Sequence, residues 1–158
     1  MLACVVLLLP GMGIRRHEEI LAWQLGQELS QRLAEILSRS AARRDRNYCS
    51  EVQEAADAIS ANIAEGFDRY RLPGFRYFLE IANGSLGETF TRLRQGFARG
   101  LFTERQFNEL LVLCTRTRKL LTPLITSVVA QGNRSRQNRK PRSKPGPTLQ
   151  RGRKDPAS

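Results

Sequence analysis

Aromatic and basic side chains interleave from Phe67 to Tyr77, in Phe67-Asp68-Arg69-Tyr70-Arg71-Leu72-Pro73-Gly74-Phe75-Arg76-Tyr77. Aromatic faces stack on unpaired bases and guanidinium groups pair with phosphates, which together can hold a single strand of nucleic acid. Phe75, like the following Phe78, falls on an apolar helical stripe and is assigned to the core. Arg69, Tyr70, Arg71, Arg76 and Tyr77 remain as candidate contact residues. A second candidate is the C-terminal segment, which carries Arg134, Arg136, Arg139, Lys140, Arg142, Lys144, Arg151, Arg153 and Lys154 against Asp155 alone. Residues 131–158 therefore hold +8 of the chain's formal +11, and everything before them is near neutral at +3. The simplest partner for such a tail is a polyanion, RNA or DNA. The competing reading is a solvating tail with no fixed partner.

Enzymatic chemistry lacks its parts. His17 is the only histidine, so Glu18-Glu19 complete neither HExxH nor the Glu-x-x-His pairs of di-iron bundles. No Gly-rich phosphate loop, Ser-x-x-Lys or nucleophile elbow is present. Cys4, Cys49 and Cys114 are far apart and odd in number, without CxxC or zinc spacing. They fit a reduced, cytoplasmic setting. The expectation is a protein without catalytic residues, metal or cofactor. Glu65 and Glu88 stand beside small-residue patches, and a carboxylate buried there needs a partner. They read either as a shared polar site at a helix junction or as capping and helix–helix hydrogen bonding.

Four amphipathic segments must position these residues. Leu21, Leu25, Leu29, Leu33 and Leu37 recur every four residues, predicting a helix over about 16–38. Arg39 to Tyr48 breaks the period and reads as a basic loop. Ser50 with Gln53 forms a capping box that opens a second helix through Val52, Ala55, Ala56, Ile59 and Ile63. Gly66 stands where a left-handed C-cap would end it. Pro73 suits the first turn of a third helix, and Gly100 closes it. Thr103 with Gln106 caps a fourth, in which Pro123 should kink or shorten the last turns. Gly84, Ser85 and Gly87 are small, so a partner helix should approach there, from this chain's own second helix or from another subunit. The fold class is all-α, an antiparallel up-down four-helix bundle over 16–130 with a disordered basic tail at 131–158. Leu2 to Leu9 is too short for a membrane span, which needs about 20 residues. Its basic pair follows it rather than preceding it, so residues 1–15 read as an apolar extension, not a signal peptide.

Two stretches, Asn62-Ile63-Ala64-Glu65-Gly66-Phe67 and Phe78-Leu79-Glu80-Ile81-Ala82-Asn83-Gly84-Ser85-Leu86-Gly87-Glu88, carry a family likeness. Together with Trp23-Gln24 and Gly100-Leu101, they resemble the four-helix-bundle proteins encoded within intervening sequences of bacterial 23S ribosomal RNA genes. The resemblance runs from about Ile20 to Val129 and makes Trp23, Asn62, Glu65, Gly66, Gly84, Ser85 and Glu88 motif positions. It implies a homo-oligomer, commonly a pentameric ring. It also brings in the fold's relatives that assist diversity-generating retroelements, where the barrel binds a reverse transcriptase and nucleic acid. This chain departs from the pattern at Gln53 and Glu54, where relatives often have consecutive arginines, and at Tyr77, where a basic residue is common. Two functions follow from these readings. One is an oligomeric module that binds RNA or DNA through basic surface and tail. The other is a protein–protein scaffold, for instance an adaptor for a reverse transcriptase, with no membrane association in either case.

Overall fold

Every helix of this chain carries an apolar stripe too wide to leave in water, and the four stripes converge. The computed structural model describes residues 14–69 and 72–137. After a single 3-10 turn at His17–Glu19 come α1 (Leu21–Arg39), α2 (Arg46–Asp68), α3 (Leu72–Ala98) and α4 (Glu104–Gln137). A second 3-10 turn, Ala41–Arg44, joins α1 to α2. Neighbours follow chain order, and α4 closes the ring against α1. Cross-links fix the directions. Gln27 Nε2 donates to Ser60 Oγ at 2.7 Å and Gln53 Nε2 to Ser30 Oγ at 3.0 Å, so α1 and α2 run antiparallel. Tyr48 reaches Arg92, Phe97 stacks on Phe107, and Arg32 pairs with Glu109, which makes the other three neighbouring pairs antiparallel as well. The protein is the all-α up-down bundle that its periodicity predicts.

Leu29, Leu33, Ile59, Ile63, Leu79, Leu86, Leu93, Leu110 and Leu121 are fully buried in one core. Each such side chain contributes about 1.5–3 kcal/mol relative to leaving it exposed. Most of the leucine face of α1 is thereby consumed inside the bundle: Leu29, Leu33 and Leu37 are buried, Leu25 is half-buried, and only Leu21 is substantially exposed.

Several local expectations change. Helix α2 begins four residues before Ser50: Asp45 is its cap, its Oδ1 accepting from the Tyr48 amide at 3.1 Å, while the Ser50 hydroxyl donates to Glu54. The charged run Arg43–Asn47 hid this first turn because it shows no apolar period. Helix α4 passes through Pro123 unshortened and past Gly132 to Gln137, so residues 131–137, expected in a disordered tail, are helical. The remaining tail residues and the apolar run at 2–9 lie outside the described residues. Other signals hold. Thr103 and Gln106 bond reciprocally, amide to side chain, at 2.9 and 3.3 Å. Gly100 has φ +72°, and the Leu101 and Gly100 amides donate back to Gly96 and Phe97 at 2.9 Å each. That is a Schellman closure, and the left-handed conformation is why glycine stands there.

The close approaches fall on other glycines than the expected patch. A Cβ on Gly84 would meet nothing within 4 Å, and one on Gly87 only the Arg118 guanidinium at 4.0 Å. Helix two does not pack there. Instead, Gly66 lies inside α2, buried, where a Cβ would stand 2.7 Å from Phe78 Cβ and 3.0 Å from the Phe75 ring. It is a contact glycine rather than a C-cap. Gly96 of α3 does the same for α2: a Cβ would overlap the Tyr48 phenol and come 2.6 Å from Phe102. With no Cβ in the way, the Tyr48 hydroxyl donates to the Arg92 carbonyl at 2.8 Å. On α1, Gly26 faces Ile59 and Ser60 of α2.

Two predictions follow from this packing. Gly66→Ala forces α2 and α3 apart and should destabilise by about 1–3 kcal/mol. Gly84→Ala, with open space around it mid-helix, should stabilise by about 0.5–1 kcal/mol. Urea unfolding of the two variants should give opposite signs, and equal signs would contradict the packing. The second prediction concerns alkali. Burial pushes the Tyr48 phenol and the Cys114 thiol up to about 12 each. Both groups have ordinary values near 9–10 in the unfolded chain, so the unfolded state loses protons first. Their stabilisation is complete below about pH 9 and is lost as pH rises toward 12. Unfolding free energy should therefore fall across that window, and Tyr48→Phe should flatten the decline.

Candidate nucleic-acid interface

The expected contact residues sort themselves by helix end. Antiparallel packing brings the first turns of α3 beside the last turns of α4. Between them lies a depression of about 860 Å³ lined by Leu72, Pro73, Arg76, Tyr77, Glu80, Val128, Val129, Gly132, Asn133 and Arg136. Three of the candidates, Arg76, Tyr77 and Arg136, thus meet at one site. Tyr77 is 59% exposed, its ring edge-on to Phe78 at 5.4 Å. The Arg76 Nε donates to Glu80 at 2.8 Å, an exposed i,i+4 pair that a phosphate can compete with. Arg134 and Arg136 are exposed on the final turns of α4 and form no ion pair among the described residues. They point the chain into its basic C-terminal segment. Arg69 is more committed: it pairs with Glu65 at 2.6 Å and lies over the Phe78 ring at 4.8 Å. Tyr70, Arg71, Arg139, Lys140, Arg142, Lys144, Arg151, Arg153 and Lys154 lie outside the described residues.

The paired-carboxylate reading does not survive. Glu65 and Glu88 are both exposed, and each pairs along its own helix, Glu65 with Arg69 and Glu88 with Arg92 at 2.8 Å. They share no site. The polar motif residues satisfy themselves locally. Asn62 Nδ2 donates to the Ala58 carbonyl at 2.7 Å, and Ser85 Oγ to the Ile81 carbonyl at 3.2 Å. Trp23 is half-buried against the core, 5.4 Å from the His17 ring. His17 in turn lies 3.5 Å from Asp68, tying the N-terminal turn to the end of α2.

Gln53, at one of the positions where relatives often have arginine, has a structural task here. Its amide nitrogen donates to the Ser30 carbonyl, the Ser30 hydroxyl and Asp57 Oδ1 at 3.0–3.2 Å. The Ser30 hydroxyl also donates to Asp57. This network stitches α1 to α2 around the Asp57 carboxylate, so no basic surface is centred there. No group of three or more His, Cys, Asp or Glu is placed to hold a metal among the described residues. Nor is any helix among them long and apolar enough to cross a membrane.

The basic loop expected at Arg39 to Tyr48 is part of a larger basic cluster at the other end of the bundle. Arg39, Arg43, Arg44, Arg46, Arg99 and Arg105 come from the end of α1, the 3-10 turn, the starts of α2 and α4, and the residue after α3. The run Arg43–Arg46 was visible as a signal, but its union with Arg99 and Arg105 needs the topology. The model of the family described as 23S rRNA-intervening sequence protein matches residues 18–123. No curated protein matches the chain.

Proposed function

The chain belongs to the 23S rRNA-intervening sequence protein family, and on that premise we propose that it is a non-enzymatic, oligomeric helical module that binds RNA or DNA. The observation that carries this reading is the meeting of Arg76, Tyr77 and Arg136 at the depression where α4 leads into the basic C-terminal segment. Tyr77 offers a stacking face, Arg76 and Arg136 offer guanidinium groups to flanking phosphates, and the following seven cations extend the electrostatic footprint. Basic side chains that meet phosphates add affinity without specificity, so recognition of a particular sequence is not expected from the C-terminal segment.

Fluorescence anisotropy with a labelled single-stranded RNA tests this. Affinity should fall steeply between about 50 and 200 mM salt. Tyr77→Ala should cost about 1–3 kcal/mol of binding, the worth of one stacked base, with little loss of stability because the ring is exposed. Deleting residues 138–158 should remove most of the affinity and leave the helical circular-dichroism signal. Undiminished binding by the truncated chain at moderate salt would rule the tail out.

We also propose that the protomers form a ring, with five as the number the family resemblance implies. The interface we favour is the outer face of α3 around Gly84 and Gly87, continuous with a depression of about 550 Å³ that includes Phe90, Cys114 and Pro123. Light scattering on nucleic-acid-free protein at tens of micromolar should give a multiple of the protomer mass. Gly87→Leu has room within the protomer, so it should lower that mass while helix content stays. A strictly monomeric wild type would end this proposal. The same face supports the second reading, a scaffold for another protein such as a reverse transcriptase. Partners that survive nuclease and high salt in a pull-down, from a chain without RNA or DNA affinity, would favour it.

A further inference from the structure

We propose that the end of the bundle opposite the tail is a second phosphate-binding surface, so that each protomer holds two segments of nucleic acid. The proposal rests on the nucleic-acid reading above and adds a site to it. Arg39, Arg43, Arg44, Arg46, Arg99 and Arg105 are all exposed at this end. Arg39 and Arg105, from helices at opposite ends of the sequence, line one depression of about 280 Å³ that Thr103, Gln106 and the Arg32–Glu35–Glu109 cluster also line.

The acids at this end are largely spent. Asp45 uses one oxygen to cap α2 and the other to accept from Arg99, and these two contacts hold its carboxyl below the usual range. Glu35 and Glu109 both accept from Arg32, with Nε to Glu109 and Nη1 to Glu35 at 2.6 Å each. Arg39, Arg43, Arg44, Arg46 and Arg105 form no ion pair among the described residues. Beside them only Glu104 is an uncommitted carboxylate. Five arginines converging from four chain segments, with their local acids committed elsewhere, are poised to neutralise several phosphates at once.

Distance separates this surface from the first. Helix α2 has 23 residues, so the two ends lie about 35 Å apart at 1.5 Å per residue. That is several times the Debye length of about 8 Å at physiological salt, so each end acts as its own field. The α2 face between them is repulsive to a polyanion, since Glu51, Glu54, Asp57, Glu65 and Asp68 are exposed along it, whereas the α3–α4 flank carries the cations Arg94, Arg118 and Lys119. One short oligonucleotide therefore occupies one end, not both.

The test is stoichiometry. The full-length chain is titrated with an RNA hexanucleotide by calorimetry at about 0.1 M salt, where the Debye length of about 10 Å keeps the ends separate, well above the dissociation constants, and sites are counted per protomer. Wild type should saturate at two, and Arg43→Gln/Arg44→Gln/Arg46→Gln at one with its circular-dichroism spectrum unchanged. A control that removes equal charge from the α3–α4 flank, Arg94→Gln/Arg118→Gln/Lys119→Gln, should still saturate at two. Saturation of wild type at one site overturns this inference and leaves the tail-end reading standing, whereas no binding at all ends both. Two sites in the Arg43 triple variant, or loss of a site in the control, also overturns it. So does a drop in assembly mass caused by the Arg43 triple variant, which would make the cluster a contact between copies.

Discussion

The backbone approach of α2 to its two neighbours is the constraint on which the rest of the bundle depends. It is set by three glycines. Gly66 lets the rings of Phe75 and Phe78 lie against α2, Gly96 lets Tyr48 lie against α3, and Gly26 lets Ile59 and Ser60 lie against α1. With α2 and α3 pinned at both ends of their contact, Val52, Ile59, Ile63, Leu79, Leu86 and Leu93 are held fully buried between them. Side-chain packing at native density leaves no slack for a Cβ at the pinned points, so these positions tolerate less than the leucines around them.

Polar groups follow the same economy. Thr89 and Thr117 are fully buried, and each returns its hydroxyl to the carbonyl four residues earlier in its own helix. Between α1 and α2, Gln27, Ser30, Gln53, Asp57 and Ser60 form a hydrogen-bonded seam. Such a seam fixes the register of two helices that leucine contacts alone would allow to slide. Cations gather at the bundle's two ends and along the α3–α4 flank, while the exposed face of α2 around this seam presents carboxylates.

That distribution shapes what the protein can do. Exposed i,i+4 pairs such as Arg76–Glu80 and Arg69–Glu65 contribute little stability, so their arginines remain exchangeable. The ends differ in kind. The tail end combines the exposed Tyr77 ring with Arg76 and Arg136, and the other end carries more guanidinium groups beside the part-exposed Phe97, which is stacked on Phe107.

The sequence by itself determined the four helices, their antiparallel order and the core stripe, because apolar periodicity is a local signal and short connections leave little choice of topology. The closures at Gly100 and at Thr103–Gln106 were equally legible, since caps are written in adjacent residues. The first turn of α2 was not, because its cap is an aspartate amid arginines with no apolar residue before Tyr48. Tertiary structure alone decided which glycines are contacts. Gly66 and Gly84 look alike along the chain, yet one meets Phe78 and the other meets open space, and that depends on the neighbouring helix. It also decided which charges act together. Arg76 and Arg136 are 60 residues apart in sequence and share a depression, as do Arg39 and Arg105. Electrostatic fields and packing are set by distance in space, and only the folded chain supplies that distance.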